Sequence, residues 1–293
     1  MSKIRECFVS RFSGGVLLEA DYSQLEIIAL AHLSGDPQMA SDIRRGVDLH
    51  TIRAATMYNI PKEDVTKQQR QTAKVFSFQL QYGAGPNSMA ASCGVAPALA
   101  KKFIEDYYNR YPDVKKWQEK VAEEYQTRRR PSAHETPMGL TAGMGWHLSP
   151  TGRRYVMYED DNPFYKEDAG KSSWYPPEQP TNFSPTKMKN YPVQGFATGD
   201  IVPMVLGEVM DWLSVSLFYS RYKMINTVHD SILFDCSPSR SLEFLEFRHT
   251  LKTLMESAPA MLKKNFGIDF TLPLKVDFKV GNNWGTMKEI TCP

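Results

Sequence analysis

The run Ile225-Asn226-Thr227-Val228-His229-Asp230-Ser231-Ile232-Leu233-Phe234-Asp235 reads as an apolar hairpin with one acid, Asp230, at its tip. Far upstream, Val16-Leu17-Leu18-Glu19-Ala20-Asp21 reads as a buried strand ending on a second acid. A lone strand-end aspartate is most often a turn former or a helix cap. These two can meet only if the terminal segments share one sheet while the middle of the chain forms a separate lobe. Brought together, they are a candidate two-metal site.

Around this pair the pattern is mostly helical. Leu25, Ile28, Ala29 and His32 share one side of residues 23–33, so the first strand delivers Asp21 to a helix start. Helices are expected at 38–46, 49–58, 65–81 (stopped by Gly83 and Gly85), 97–110, and from Pro112 to about residue 130. Residues 131–185 are rich in proline and glycine, with Gly152-Arg153-Arg154-Tyr155-Val156-Met157-Tyr158 as the one convincing strand, so loops are expected there. Helical spacing resumes over 185–216, the hairpin follows at 222–236, a helix covers 238–265, and a strand at 272–280 closes the order. No internal repeat is visible.

The 293 residues include 42% hydrophobic ones, enough for a substantial core in one large or two interleaved domains. The formal net charge of +2, from 35 basic and 33 acidic residues, leaves any nucleic-acid footprint to local clusters. Cys7, Cys93, Cys236 and Cys292 contain no CxxC pair, which argues against a zinc cluster and fits a reducing compartment. With no secretory or membrane-length apolar run, a cytoplasmic location is expected.

Over the long helix, Arg70, Lys74, Phe78 and Tyr82 recur at every fourth position and share about a third of the circumference. Cations that neutralise phosphates and flat rings that stack on a base follow one another along this stripe, which suits a nucleoside triphosphate. A snorkelling solvated face with core aromatics has the same spacing. Arg128-Arg129-Arg130 is most simply a solvated helix end.

Taken in order, three motifs resemble those of the family A DNA polymerases, the group of bacterial DNA polymerase I and related phage enzymes. Asp21-Tyr22-Ser23-Gln24-Leu25-Glu26, with Ala31-His32-Leu33-Ser34-Gly35-Asp36 after it, is similar to motif A; Arg70 through Gly83 is similar to motif B; Val228-His229-Asp230 is similar to motif C. Asp48-Leu49-His50, Arg110-Tyr111-Pro112, Gly152-Arg153-Arg154, Asn190 through Gly195 and Asn283-Trp284 extend the likeness over nearly the whole chain. The resemblance implies an α+β fold: a right-hand polymerase palm, an antiparallel sheet with helices, plus mostly helical fingers. Residues 1–30 and 186–293 would form the palm, and 31–185 the fingers with a loop-rich insertion at 131–185.

The same resemblance implies a DNA-directed DNA polymerase that adds deoxynucleotides to a primer 3′-hydroxyl. Asp21, Asp230 and the Tyr22 carbonyl would hold two Mg²⁺ about 3.5–4 Å apart. Arg70, Lys74 and His50 would contact the phosphates, and Lys74 would also protonate the leaving pyrophosphate. Gln24 and Glu26 belong to the nucleotide site, Glu26 with Tyr82 blocking a ribose 2′-hydroxyl, and Phe78 would discriminate against dideoxynucleotides. Arg5, Asn190, Gln194, His229, Arg153 and Arg154 match DNA-contacting positions. Departures are Ser231, where the family usually has glutamate, Ile28 in place of a motif A arginine, and Thr186 in place of another arginine.

Because Ile4-Arg5-Glu6-Cys7-Phe8 resembles the start of the palm strand leading into motif A, the thumb and any 3′–5′ exonuclease domain are expected to be absent here. Either the sequence is a truncated piece of a longer polymerase or, the reading favoured here, they would come from a second polypeptide, as in a phage-type split polymerase. Primer–template DNA and a deoxynucleoside triphosphate are the other partners implied. A single-subunit RNA polymerase shares the two aspartates but is disfavoured by Glu26. A catalytically silent DNA-binding assembly subunit is disfavoured by intact Asp21, Asp230, Arg70 and Lys74.

Overall fold

Val16–Tyr22 (β1) buries Leu17, Leu18, Ala20 and Tyr22, as a strand covered by other elements must. A computed structural model describes residues 3–81, 84–162, 179–238 and 241–291. After β1 come the helices Leu25–Ser34 (α1), Pro37–Arg44 (α2), Leu49–Tyr58 (α3), Lys67–Gln81 (α4), Pro86–Cys93 (α5), Pro97–Arg110 (α6) and Pro112–Thr127 (α7). Strands Arg130–Glu135 (β2), Thr141–Leu148 (β3), Arg154–Tyr158 (β4), Asp160–Asp161 (β5) and Thr181–Asn182 (β6) follow. Helix Pro185–Gln194 (α8), a π-helical turn Gly195–Ile201 and helix Val202–Val215 (α9) lead to the hairpin Tyr222–Val228 (β7) and Ser231–Cys236 (β8). Ser241–Glu256 (α10), Ala258–Phe266 (α11), Val276–Gly281 (β9) and Lys288–Ile290 (β10) complete the order. The fold is α+β, with no helix among the described residues long and apolar enough to cross a membrane.

The chain divides into two compact units, Met1–Ala29 with Phe196–Pro293, and Leu30–Gly195. The first is built on a five-stranded sheet in the order β10-β9-β1-β8-β7, in which every neighbouring pair is antiparallel. All six β8 residues are buried, and its Ser-Ile-Leu-Phe-Asp-Cys run is what a strand covered on both faces requires. Buried Asp235 is satisfied by the Ser10 hydroxyl at 2.5 Å and by Arg11, whose backbone N–H and Nε donate at 3.2 and 3.0 Å. Over the sheet, Phe247 of α10 stacks on Tyr222 with ring centroids 4.1 Å apart and meets Phe234 edge-on.

The second unit is mostly helical and is tied together at Asp42, whose side chain is fully buried. Its carboxylate accepts from Arg45 at 2.6 Å, Arg110 at 2.7 Å, the Tyr111 hydroxyl at 2.9 Å and Gln38 at 2.9 Å. Burial alone would raise the Asp42 pKa, but the hydrogen bonds from Arg110 and Tyr111 outweigh it and hold the carboxyl below its usual range. Asp36 caps α2 through Met39 N at 2.8 Å and also accepts from Asp113 N at 3.1 Å, which anchors the start of α7.

Several expected elements differ. The expected strand at 152–158 is present as β4, but it is one of three in an antiparallel sheet, β2-β3-β4, whose other two strands lie where loops were expected. Gly143 and Gly145 hide β3 from an alternation test, and contact requires the second: a Cβ on Gly145 would lie 2.5 Å from the Tyr125 carbonyl oxygen, whereas one on Gly143 would meet only the movable end of the Arg129 side chain. The arginine run is not a solvated helix end. Arg128 pairs with Glu124 at 3.0 Å, Arg129 binds buried Glu159 through two bonds of 2.7 and 2.8 Å, and Arg130 opens β2. The helix expected at 238–265 breaks at Ser257, where Pro259 in the first turn of α11 lacks the N–H that would continue α10.

Asp42→Ala should destabilise the protein by about 3 kcal/mol, the low end for breaking a buried ion pair because its arginines can rehydrate. Because the folded carboxyl is depressed, its stabilisation is present above the ordinary carboxylate pKa and is lost as pH falls through the lowered value. Urea titrations at neutral and acid pH check both, the difference between variant and parent shrinking with acidification.

Candidate active site

In the first unit, the antiparallel pairing of β1 with β8 sets Asp21 opposite Ser231, one residue from Asp230. Asp230 lies in the two-residue turn between β7 and β8, where His229 takes the left-handed conformation at φ 55°. The Tyr22 N–H donates to the Asp230 carbonyl at 3.3 Å, so the end of β1 is tied to the hairpin tip. Burial, reinforced by the negative charges of Asp21 and Glu26, pushes the Asp230 carboxyl up to about 6. A carboxyl held toward its neutral form by burial and by neighbouring carboxylates is a place where a cation is favoured.

On the other side of β1, Asp21 faces Asp277 of β9, and Lys279 places Nζ 3.2 Å from Asp21 Oδ2. Burial lowers the Lys279 pKa, but Asp21, Glu19 and Glu289 outweigh it and hold the ammonium above its usual range. Ser23 donates its hydroxyl to Asp277, and exposed Gln24 is left-handed at φ 60°, turning the chain from β1 into α1. Glu26 stands in the first turn of that helix. Arg5 lays its guanidinium over the Trp284 ring at 4.4 Å. Ser231, the departure in motif C, is buried and donates its hydroxyl to the Val228 carbonyl at 3.1 Å, bracing the turn.

In the second unit, α4 carries Arg70, Lys74 and the backbone of Phe78 on successive turns. Tyr82 lies outside the described residues, as does the side chain of Phe78. Arg70 Nε is bound to Asp48 Oδ2 at 2.6 Å, and Asp48 also caps α3 through the His50 and Thr51 N–H groups. Burial pushes Asp48 upward, but hydrogen bonds from Arg70 and Thr51 outweigh it and bring the carboxyl to about 2. Buried His50 is lowered to about 4 by burial and by Arg53, with Arg70 and Lys74 adding to it. At neutral pH His50 is therefore a neutral ring that offers hydrogen bonds rather than a charge.

Asn190 donates Nδ2 to Gln194 Oε1 at 3.4 Å along α8. Arg153 and Arg154 are exposed where β4 begins, and Arg154 stands 5.6 Å from the Trp146 ring centroid. Sequence reasoning passed over Lys279 and the Asp48 link to Arg70. The alternation Asp277-Phe278-Lys279 did carry the signal of a charged strand face.

Asp21 and Asp230 supply hard oxygen donors, and no group of three or more His, Cys, Asp or Glu suited to a metal occurs among the described residues. That sparse set fits Mg²⁺, which is commonly bound by one or two carboxylates and completes its shell with water and substrate oxygens.

The fold is matched by that of a solved polymerase domain. The polymerase domain of Pol1 from M. smegmatis, solved in complex with DNA primer-template and dNTP, matches it with a TM-score of 0.67 at 24% identity, covering 96% of this chain and 42% of that one. The family model for DNA polymerase family A matches residues 1–141 and 174–286, and the chain belongs to that family. It is 30% identical to DNA polymerase I of Lactococcus lactis subsp. lactis over 283 residues, covering 96% of this chain and 27% of that protein. It is also 30% identical to the thermostable DNA polymerase I of Thermus filiformis over 292 residues, covering 98% of this chain and 29% of that protein. The chain thus spans just over a quarter of the length of these relatives.

Asp48→Ala should cost about 1 kcal/mol through the lost helix cap, the half-exposed ion pair adding little. Since Asp48 is depressed when folded, its contribution is complete above the ordinary carboxylate pKa and disappears as pH falls through about 2. Denaturation of parent and variant at neutral pH and near pH 2 reads the difference directly.

Proposed function

We propose that this chain carries out template-directed DNA synthesis, adding deoxynucleotides to a primer 3′-hydroxyl. The observation that carries the reading is the acid pair, Asp21 and Asp230, held side by side by the β1–β8 pairing in a member of DNA polymerase family A.

In this reading Asp21, Asp230 and the Tyr22 carbonyl hold two Mg²⁺. When bound, these ions lower the pKa of the primer hydroxyl and neutralise charge on the triphosphate. Asp230, raised toward neutrality by burial and by Asp21, favours a cation in contact with it. Arg70 and Lys74 bind the triphosphate oxygens, and neutral His50 donates a hydrogen bond there rather than a charge. The 3′-hydroxyl gives up its proton to water as its oxygen attacks the α-phosphorus, the bond to pyrophosphate breaks, and Lys74 gives its proton to that leaving oxygen.

Glu26 and Tyr82 exclude a ribose 2′-hydroxyl, Gln24 completes the nucleotide site, and Phe78 disfavours a sugar lacking the 3′-hydroxyl. Asn190, Gln194 and His229 donate to minor-groove acceptors that every correct base pair presents in similar places, so they sense pairing without reading sequence. Arg5, Arg153 and Arg154 contribute to the grip on DNA. We assign the remaining grip, and any 3′–5′ proofreading, to structure outside residues 1–293, including the second polypeptide implied by a split polymerase.

Extension of a labelled primer–template tests the reading, with Mg²⁺ and deoxynucleotides, alone and with any co-purifying protein. Asp230→Asn should lower the extension rate at least about a hundredfold at an unchanged melting temperature. Normal extension by that variant would sink the acid-pair assignment, and equal use of ribonucleotides would sink the role of Glu26.

A further inference from the structure

Lys279 is the cation bound to Asp21, and the resemblance to polymerase motifs gave it no role. It lies on β9, directly opposite Glu19 of β1 on one side and Glu289 of β10 on the other. Either glutamate is its cross-strand neighbour, yet its ammonium reaches diagonally to Asp21 Oδ2 at 3.2 Å. Both side chains are about 30% exposed, at 31% and 30%, so water screens the pair only in part. Glu19, Asp21, Asp277 and Glu289 stand on the same strand alternation, and the ammonium bonds Asp21 while feeling the charges of Glu19 and Glu289 as well.

We propose that Lys279 is a built-in counter-ion of Asp21 that competes with the divalent cation for the same carboxylate oxygen and so sets how tightly the acid pair holds metal. This rests on the two-metal reading of Asp21 and Asp230. A lysine suits the task because its ammonium is a point charge on a flexible stem, free to rotate away where a bidentate arginine would hold on. Glu19 and Glu289 are positioned to receive it, so its displacement leaves no buried charge unpaired. Lys279 is in this sense a positioning residue: it touches the ligand, not the reacting atoms.

The test is Mn²⁺ titration of the whole chain followed by electron paramagnetic resonance, without DNA or nucleotide. Asp21→Asn identifies the signal that belongs to the pair. Lys279→Met should bind Mn²⁺ about fivefold to tenfold more tightly at that site, the scale of removing one partly screened neighbouring charge. Lys279→Gln serves the same purpose should the methionine variant misfold, and Lys279→Arg, which keeps the charge, should stay within about twofold of the parent or bind more weakly. Unchanged Mn²⁺ affinity in the neutral variants, with Asp21-dependent binding intact, overturns the role of Lys279 alone. Absence of any Asp21-dependent binding, in parent and variants alike, overturns both this role and the metal reading beneath it. A fall in melting temperature with no change in affinity marks Lys279 as a strand-pairing residue only, and equally overturns the proposal.

Discussion

The register between β1 and β8 is the constraint on which everything else rests. Side chains on a strand alternate between faces, so a slip of one residue would carry Asp21 to the opposite face of the sheet, where Ala20 and Leu18 now form core. Several contacts guard against it. Ile232, Leu233 and Phe234 of β8 are buried at successive positions, the Tyr22 N–H is tied to the Asp230 carbonyl, and the Tyr22 hydroxyl donates to the Met255 carbonyl at 2.6 Å. The acid pair is therefore held by backbone pairing and core packing, and its two carboxylates need supply none of the stability that keeps them adjacent.

Each unit handles charge differently. The acid pair is left with an excess of negative charge, relieved by Lys279, and Asp230 bears the strain as a raised pKa. On α4 the cation Arg70 is already committed to Asp48, which doubles as the cap of α3, so helix α3 and the orientation of the guanidinium share one carboxylate. Positive charge nearby also keeps His50 neutral. Burial first, and then the charges of Arg53, Arg70 and Lys74, make a protonated imidazole untenable there.

Much of this was legible in the sequence, for a definite reason: wherever burial alternates with the period of an element, the pattern is printed in the residues. The limits of α3 followed from that, and those of β1 and the hairpin from continuous apolar runs bounded by turns. What escaped involved partners distant in sequence. The partners of the expected strand β4 were hidden: β3 carries Gly143 and Gly145, and glycine reads as loop. The contact of Lys279 with Asp21 depends on which residues face one another across β9 and β1, which no single-strand pattern contains. The neutrality of His50 depends on burial and on three cations supplied by two helices. Ser231 drew notice as a missing glutamate, whereas its observed work is to brace the hairpin turn from within.

The placement of β1 at the middle of its sheet has a consequence for synthesis. Its two neighbours, β8 and β9, come from the far end of the chain, while residues 30–195 form a separate compact unit. As the polypeptide leaves the ribosome, that unit can be completed while Val16–Tyr22, an apolar strand with both edges open, still waits for its partners. An unpaired strand of this kind invites pairing with the wrong chain. Glu19 and Asp21, the charges that later meet Lys279, interrupt the apolar run during that interval, so residues suited to the finished site also protect the unfinished one.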